Sequence, residues 1–317
     1  MRKKIAILLV GILLISCTGC GSSNYITDKD KQMIKQESTN QAVRNDILCK
    51  PTDKELLKIY GENEKQMRYK LDQLPDCQDF KLNSTKYHSL WESIFVKPLA
   101  WLILKVGYLV KNFGVSVMLI GAAIRLIMLP LSKKSLMTSE NMKKAQPELN
   151  KIEKKYKDKT DNESMMAKSQ EMMMIYKKYN INPISGCLVS FIQLPLFFAF
   201  LEAINRIPAI FEGKFLGISL GSNALMGIAS AAWSAKIFYI VIILLIMLTT
   251  YLSFKGNMAS TAGVGEAQKQ MQLMSKFMII MISIVSITLP VAIALYWIVT
   301  NGIMVIQNFI LKKEVKR

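Results

Sequence analysis

Phe277 to Leu311 is a run of 35 residues without a single charge, and a water-soluble surface has no place for it. As one helix it would be about 50 Å long, against a hydrocarbon core of roughly 30 Å. Two helices therefore have to share it. The turn is expected near Leu289-Pro290, because proline lacks a backbone donor and restricts the residue before it. Three further apolar runs, 113–132, 183–204 and 237–254, are each close to the length that a bilayer-crossing helix needs. The charges are collected between them. The 51% hydrophobic content matters only through that segregation, since a soluble domain can reach the same fraction.

The formal net charge is +18. Nucleic-acid binding is one reading of such an excess. The cytoplasmic Lys/Arg bias of a membrane protein is the other. Lys133 to Lys178 holds twelve Lys or Arg against seven Asp or Glu, and the tail 312–317 holds four against one. Both segments flank apolar runs, which favours the membrane and argues against a specific nucleic-acid partner. With the N-terminus outside, five spans put both basic segments in the cytoplasm, whereas four would put the tail outside. The predicted order is TM1 113–132, a cytoplasmic hairpin 133–180, TM2 183–204, an external loop 205–236, TM3 237–254, a cytoplasmic loop 255–276, TM4 277–289, TM5 290–311 and a basic cytoplasmic tail 312–317.

The chain starts with Arg2, Lys3 and Lys4 before the apolar run Ile5 to Ile15. This reads as a signal peptide, 1–16, with an apolar core too short to span. Leu14-Ile15-Ser16-Cys17 resembles a lipoprotein cleavage site, so Cys17 is the expected site of a covalent lipid, with Cys20 as second candidate. An uncleaved anchor helix is the alternative. Residues 17–88 are polar with nearly balanced charge and read as a flexible or weakly helical external segment, with a short helix suggested by Met67, Leu71 and Leu74. Cys49 and Cys77 fit either a disulfide or two free thiols. In 89–112, Lys97, Lys105 and Lys111 fall within an arc of about 120° on a helix. With Trp91 and Trp101 this predicts an amphipathic helix in the outer interface.

In the basic segment 133–180, Met142, Ala145, Leu149, Ile152 and Tyr156 step by 3, 4, 3 and 4. Met165, Met172 and Tyr179 repeat by seven after the turn-forming Lys157-Asp158-Lys159-Thr160-Asp161-Asn162. The pattern predicts a helical hairpin packed as a short antiparallel coiled coil, with Pro147 kinking its first arm. Its methionines either fill the seam or offer an adaptable apolar surface. The loop 255–276, with Gly256, Gly263 and Gly265, reads as mobile, and the loop 205–236 as partly helical.

Arg125 lies within an apolar span, where a central Arg costs about 2.5–3.5 kcal/mol even on the permissive insertion scale. The expected surrounding is a wet cavity; snorkelling to the inner interface is the alternative. Gln193, Thr300, Asn301 and Gln307 are also within spans and need partners there, as interhelical glue or as cavity lining. Tyr296 and Trp297 fit an interface or a cavity wall. No paired His/Cys spacing offers a metal site, and an HExxH and a GxxxxGK[ST] loop are missing, so neither a metal, a cofactor nor a catalytic residue is expected.

Asn182-Pro183-Ile184-Ser185-Gly186-Cys187-Leu188, leading to Gln193-Leu194-Pro195, resembles the second-span signature of the YidC/Oxa membrane protein insertases. Arg125 followed by Pro130-Leu131, and Tyr296-Trp297 with Asn301 and Gln307, are similar to that family's first and last spans. The sequence departs from the pattern at Val189, where Pro is usual, and at Leu201, where Tyr is. The resemblance implies an all-α membrane protein of the Gram-positive lipoprotein type. Its five transmembrane helices would be joined by an interfacial amphipathic helix and a cytoplasmic helical hairpin. It implies a hydrophilic groove open to cytoplasm and lipid, formed by Arg125, Gln193, Tyr296, Trp297 and Asn301. Its partners would be nascent membrane proteins and the lipid bilayer, with the ribosome and the Sec translocon as candidates. No covalent chemistry is implied. The rival reading is a small-solute transporter or channel.

Overall fold

The structure, a computed structural model, describes residues 24–230, 233–258 and 266–316. The predicted signal peptide 1–16, Cys17, Cys20, residues 259–265 and Arg317 lie outside them. The described chain is mostly helical and divides into two compact units. One holds the chain up to Ala123 with Gln193–Ile246 and Val285–Val299; the other holds Ile124–Ile192, Met247–Ile284 and Thr300–Arg317.

In the first unit, residues 24–88 form a small folded module. Ile26, Val43, Ile47, Leu56, Tyr60 and Leu74 pack into one apolar core. Helix α1 (Lys54–Glu62) starts where the Asp53 side chain accepts the Leu56 N–H, and it turns Leu56 and Tyr60, one helical turn apart, into that core. Isolated bridges pair Tyr25 with Arg44 and Lys35 with Ala42. Cys49 and Cys77 are joined in a disulfide, with Cα atoms 4.8 Å apart. The expectation of a flexible segment is thus overturned. Its apolar residues are few and follow no period, but they converge. The helix suggested around Met67 to Leu74 is only the 3-10 turn Leu71–Gln73.

A π-turn at Glu92–Val96 runs into α2 (Lys97–Leu109). Leu99, Ala100, Ile103, Leu104 and Gly107 face inward. Leu90, Ile94, Leu102 and Leu109 are exposed and, at helical spacing, form an apolar outward stripe that also carries exposed Lys105. Lys97 departs from the expected lysine face. It is 3% exposed and turned to the carbonyls of Thr85 and Lys86, both at 3.0 Å. The chain reverses at Lys111, in left-handed conformation, and α3 (Phe113–Ile127) follows. Helix α3 ends before Met128, five residues short of the predicted span, and α4 (Leu129–Lys155) begins directly after it.

In the second unit, α4 packs antiparallel on α5 (Asn162–Lys178). Met142, Ala145 and Leu149 form its core with Ile181, against Met172, Ile175, Tyr176 and Tyr179. Lys155–Glu171, Lys168–Glu153 and Lys178–Glu148 pair across the two helices at 2.6–2.8 Å. These pairs are partly exposed and contribute more to register than to stability. Asp161 caps α5 through the Ser164 N–H. Met165 is not in the seam where the seven-residue repeat put it. With Met166, Met173 and Met174 it lies on the exposed side of α5.

Helix α6 (Pro183–Asn205) leads into the short α7 (Pro208–Glu212) and a hairpin of β1 (Lys214–Phe215) and β2 (Ile218–Ser219). The two-residue turn of that hairpin has positive φ at Leu216 and Gly217, which the second position tolerates for want of a Cβ. Helix α8 (Ala224–Ser230) is capped by the Asn223 side chain. Then come α9 (Trp233–Met258), α10 (Glu266–Thr288) and α11 (Val291–Lys316). The predicted loop 255–276 is largely helical where described, because α9 runs through Gly256 and α10 begins at Glu266. Leu289 and Pro290 separate α10 from α11. The Val291 and Ala292 N–H groups, which a helix start leaves unsatisfied, donate to Ser222 and Leu220 carbonyls at 2.9 and 3.1 Å. Ala235–Phe254 and Val291–Leu311 are long and apolar enough to cross a membrane, and α3 with α4 adds a third span if the pair counts as one.

Candidate functional site

The residues expected to form the groove are divided between the two units: Gln193, Tyr296 and Trp297 in the first, Arg125 and Asn301 in the second. In the first, α6 and α11 meet through aromatic rings. Phe200 stacks on Tyr296 at 4.0 Å between centroids, and Phe197 meets Trp297 edge-on at 5.0 Å. Tyr296 is buried; Trp297 and Gln193 are half-buried. In the second, Arg125 is 5% exposed, in the last turn of α3. The buried Gln307 amide of α11 donates to the Arg125 carbonyl at 3.4 Å. The Ser253 hydroxyl of α9 lies 2.9 Å from the Thr250 carbonyl and 3.2 Å from the Asn301 side-chain oxygen. Such pairings satisfy polar groups that water cannot reach.

The structure also holds a charged cluster that the sequence reading missed. Arg206 follows α6 and its side chain is fully buried. Its Nη1 donates to Glu92 Oε2 at 2.9 Å and to Glu202 Oε1 at 3.1 Å, and its Nε to the Asp46 carbonyl at 2.7 Å. Arg44 grips the Asp46 carboxylate with two bonds, 2.7 and 2.8 Å. Arg68 reaches Glu92 at 3.2 Å, Lys97 lies 3.4 Å from it, and Trp91 Nε1 donates to Glu202 at 2.9 Å. Four Lys or Arg side chains thus surround three carboxylates. The one local signal was Glu202 with Arg206, spaced to meet on a helix; Asp46 and Glu92 are remote in sequence.

Burial alone would raise the Asp46 carboxyl. The Arg44 hydrogen bond and the charges of Arg206, Arg44 and Arg68 outweigh it and hold the group below its ordinary 3.8. Burial of Glu92 is likewise outweighed, by the charge and hydrogen bond of Arg206 and by Lys97 and Arg68, so it lies below 4.5. Both groups bind protons less readily folded than unfolded. Their stabilisation is therefore complete above about pH 5 and lost as pH falls below about 4, through the depressed values. Acid titration followed by Trp fluorescence and amide exchange at Leu48 should show the module loosening there, and a flat response down to pH 3 would contradict this assignment.

Among the described residues no group of three or more His, Cys, Asp or Glu is placed to hold a metal ion. The family described as 60Kd inner membrane protein matches residues 105–317. The membrane protein insertase YidC of Oceanobacillus iheyensis is 34% identical over 228 residues, covering 71% of this chain and 84% of that protein. The insertase MisCA of Bacillus subtilis is 35% identical over 223 residues, 70% of this chain and 79% of its own. YidC 2 of Bacillus anthracis is 35% identical over 228 residues, 72% and 83%. A match of this extent, on a chain of long apolar helices, makes it a membrane-integral protein that belongs to the YidC/Oxa family of 60Kd inner membrane proteins.

Proposed function

We propose that this chain is a membrane protein insertase that works without covalent chemistry or a cofactor, taking nascent membrane proteins from the cytoplasm and releasing them into the bilayer. The observation that carries the reading is Arg125, buried in an apolar helix, in a chain at least 34% identical over about 70% of its length to proteins named insertases. Five spans with the N-terminus outside and lipid on Cys17 complete the topology, in the bacterial cytoplasmic membrane. The outward apolar stripe of α2 supports its place in the outer interface. The α4–α5 pair would face the cytoplasm as a recruiting arm for client or ribosome, and the Sec translocon is a candidate neighbour.

The mechanism follows from solvation. A polar external tail crossing dry lipid loses its hydration, which is expensive. A wet groove on the inner side, with Arg125, Gln193, Trp297, Tyr296 and Asn301 around it, shortens the dry distance. A last pair of spans that begins with the 13-residue stretch 277–289, about 20 Å as a helix, would thin the bilayer further. The Arg125 charge attracts acidic residues of the tail, and the apolar segment then leaves sideways into lipid.

Site-specific photocrosslinking tests this. A photoreactive residue at Gln193 should capture a ribosome-bound membrane protein during synthesis and lose it on release. Absence of crosslinks, together with solute flux through purified protein in liposomes, would favour the transporter reading instead.

A further inference from the structure

We propose that Arg206 is a positioning residue for insertion: through Asp46, Glu92 and Glu202 it latches the module 24–88 onto the ends of α6 and α2, and that latch keeps the external side closed. This rests on the insertase reading and its topology. The latch joins segments far apart in the chain. Asp46 and Arg206 are 160 residues apart, and Glu92 and Arg206 are 114 apart. Glu202 and Arg206 fall inside the segment that matches the family, 105–317, whereas Asp46, Arg44, Arg68 and Glu92 precede it. The module is thus an addition to the matched part, and the cluster is its joint.

The joint has a second grip. The Glu212 carboxylate accepts the Thr52 and Asp53 N–H groups at 2.8 and 3.0 Å, and the Arg206 carbonyl accepts the Leu48 N–H at 2.9 Å. The disulfide at Cys49 and the Lys50 N–H bond to the Pro75 carbonyl, 2.9 Å, hold the gripping segment in shape. A buried ion cluster adds little stability over apolar packing of the same volume. A planar guanidinium whose Nε and Nη1 meet three acceptors from separate segments, the Asp46 carbonyl and the Glu92 and Glu202 carboxylates, while its Nη2 has no hydrogen-bond partner among the described residues, does, however, fit one arrangement and few others. The cluster is therefore suited to fixing one geometry. A module so held moves with the external ends of α2 and α6 as one block. A loose tether would leave those ends free to part and pass ions.

The test uses the full chain in lipid vesicles, with Arg206→Met and Arg206→Lys, and three readouts: amide exchange, passive proton leak, and insertion of a client with an acidic external tail. In Arg206→Met, exchange at Leu48 should rise by about tenfold or more while Ile26 and Val43 keep their protection. Leak should rise and insertion should fall, each by about tenfold. Arg206→Lys, which keeps the charge but not the fork, should recover part of both. Unchanged leak and insertion in Arg206→Met, with Leu48 exchange accelerated, would overturn the proposal. If Arg206→Met does not accumulate, Glu202→Gln takes its place with the same expected and contrary results. Failure of the unaltered chain to insert the client would instead sink the insertase reading, and the leak measurement would still judge the latch.

Discussion

Arg125→Ala should cut insertion of clients with acidic external tails by about ten- to a hundredfold, with the variant still present in the membrane at normal level. At about 6 Å and an effective dielectric near 20, two unit charges attract by about 3 kcal/mol. Hydration of the tail and screening by salt offset part of this, leaving one to two decades in rate. Clients with neutral tails should lose little, because under the proposed mechanism their passage would gain from hydration and not from the Arg125 charge. Arg125→Lys should retain most activity at low salt. The measurement is protease protection of newly made clients in cells depleted of other insertases. Full insertion of acidic-tailed clients by a stably expressed Arg125→Ala protein would remove Arg125 from the mechanism. The residue is 5% exposed, so loss of packing has to be separated from loss of charge, which Arg125→Met does by keeping much of the volume.

The double change Cys49→Ser with Cys77→Ser should destabilise the module 24–88 by about 3–4 kcal/mol, the closure entropy of a loop with sequence separation 28. A module of about 65 residues has a small core, and this is a large share of what holds it. Amide exchange at Ile26, Val43 and Leu56 should accelerate by about two decades in the full chain, or protection should vanish. Reduction of the unaltered protein should give the same pattern. Exchange that is indifferent to both would mean that the apolar core and the Arg206 cluster suffice alone. The prediction differs from that for Arg206→Met. There the module keeps its own fold and only its seat is loosened, so Leu48 and the core amides respond differently in the two variants.

The long apolar helices, the break at Leu289-Pro290 between α10 and α11, and the family motifs around Arg125, Gln193 and Trp297 were readable because each is a property of residues close together in the chain. Hydropathy sums over one helix, a proline acts on its own turn, and Met142, Ala145 and Leu149 recur at helical spacing. The same logic misled at Met165. Its seven-residue spacing from Met172 fits a seam, but which side of α5 meets α4 is settled by contacts and not by the repeat. Lys97 shows this too. Helical spacing sets it with Lys105 and Lys111 on one polar face, yet the carbonyls of Thr85 and Lys86 and the Glu92 carboxylate, all outside α2, take it into the interior.

Residues 24–88 were opaque for a related reason. Their core draws six apolar side chains from segments with neither helical nor strand period, and the backbone is held by single bridges. The sequence alone determined that this chain has long apolar helices and that its Lys and Arg collect between them, since solvation by lipid acts on local composition. Only the tertiary structure decided that the N-terminal segment folds, that Cys49 meets Cys77, and that Arg206 is neutralised by Asp46, Glu92 and Glu202. The energy of a buried charge depends on what lies within a few ångströms of it, and those neighbours come from parts of the chain that no local pattern connects.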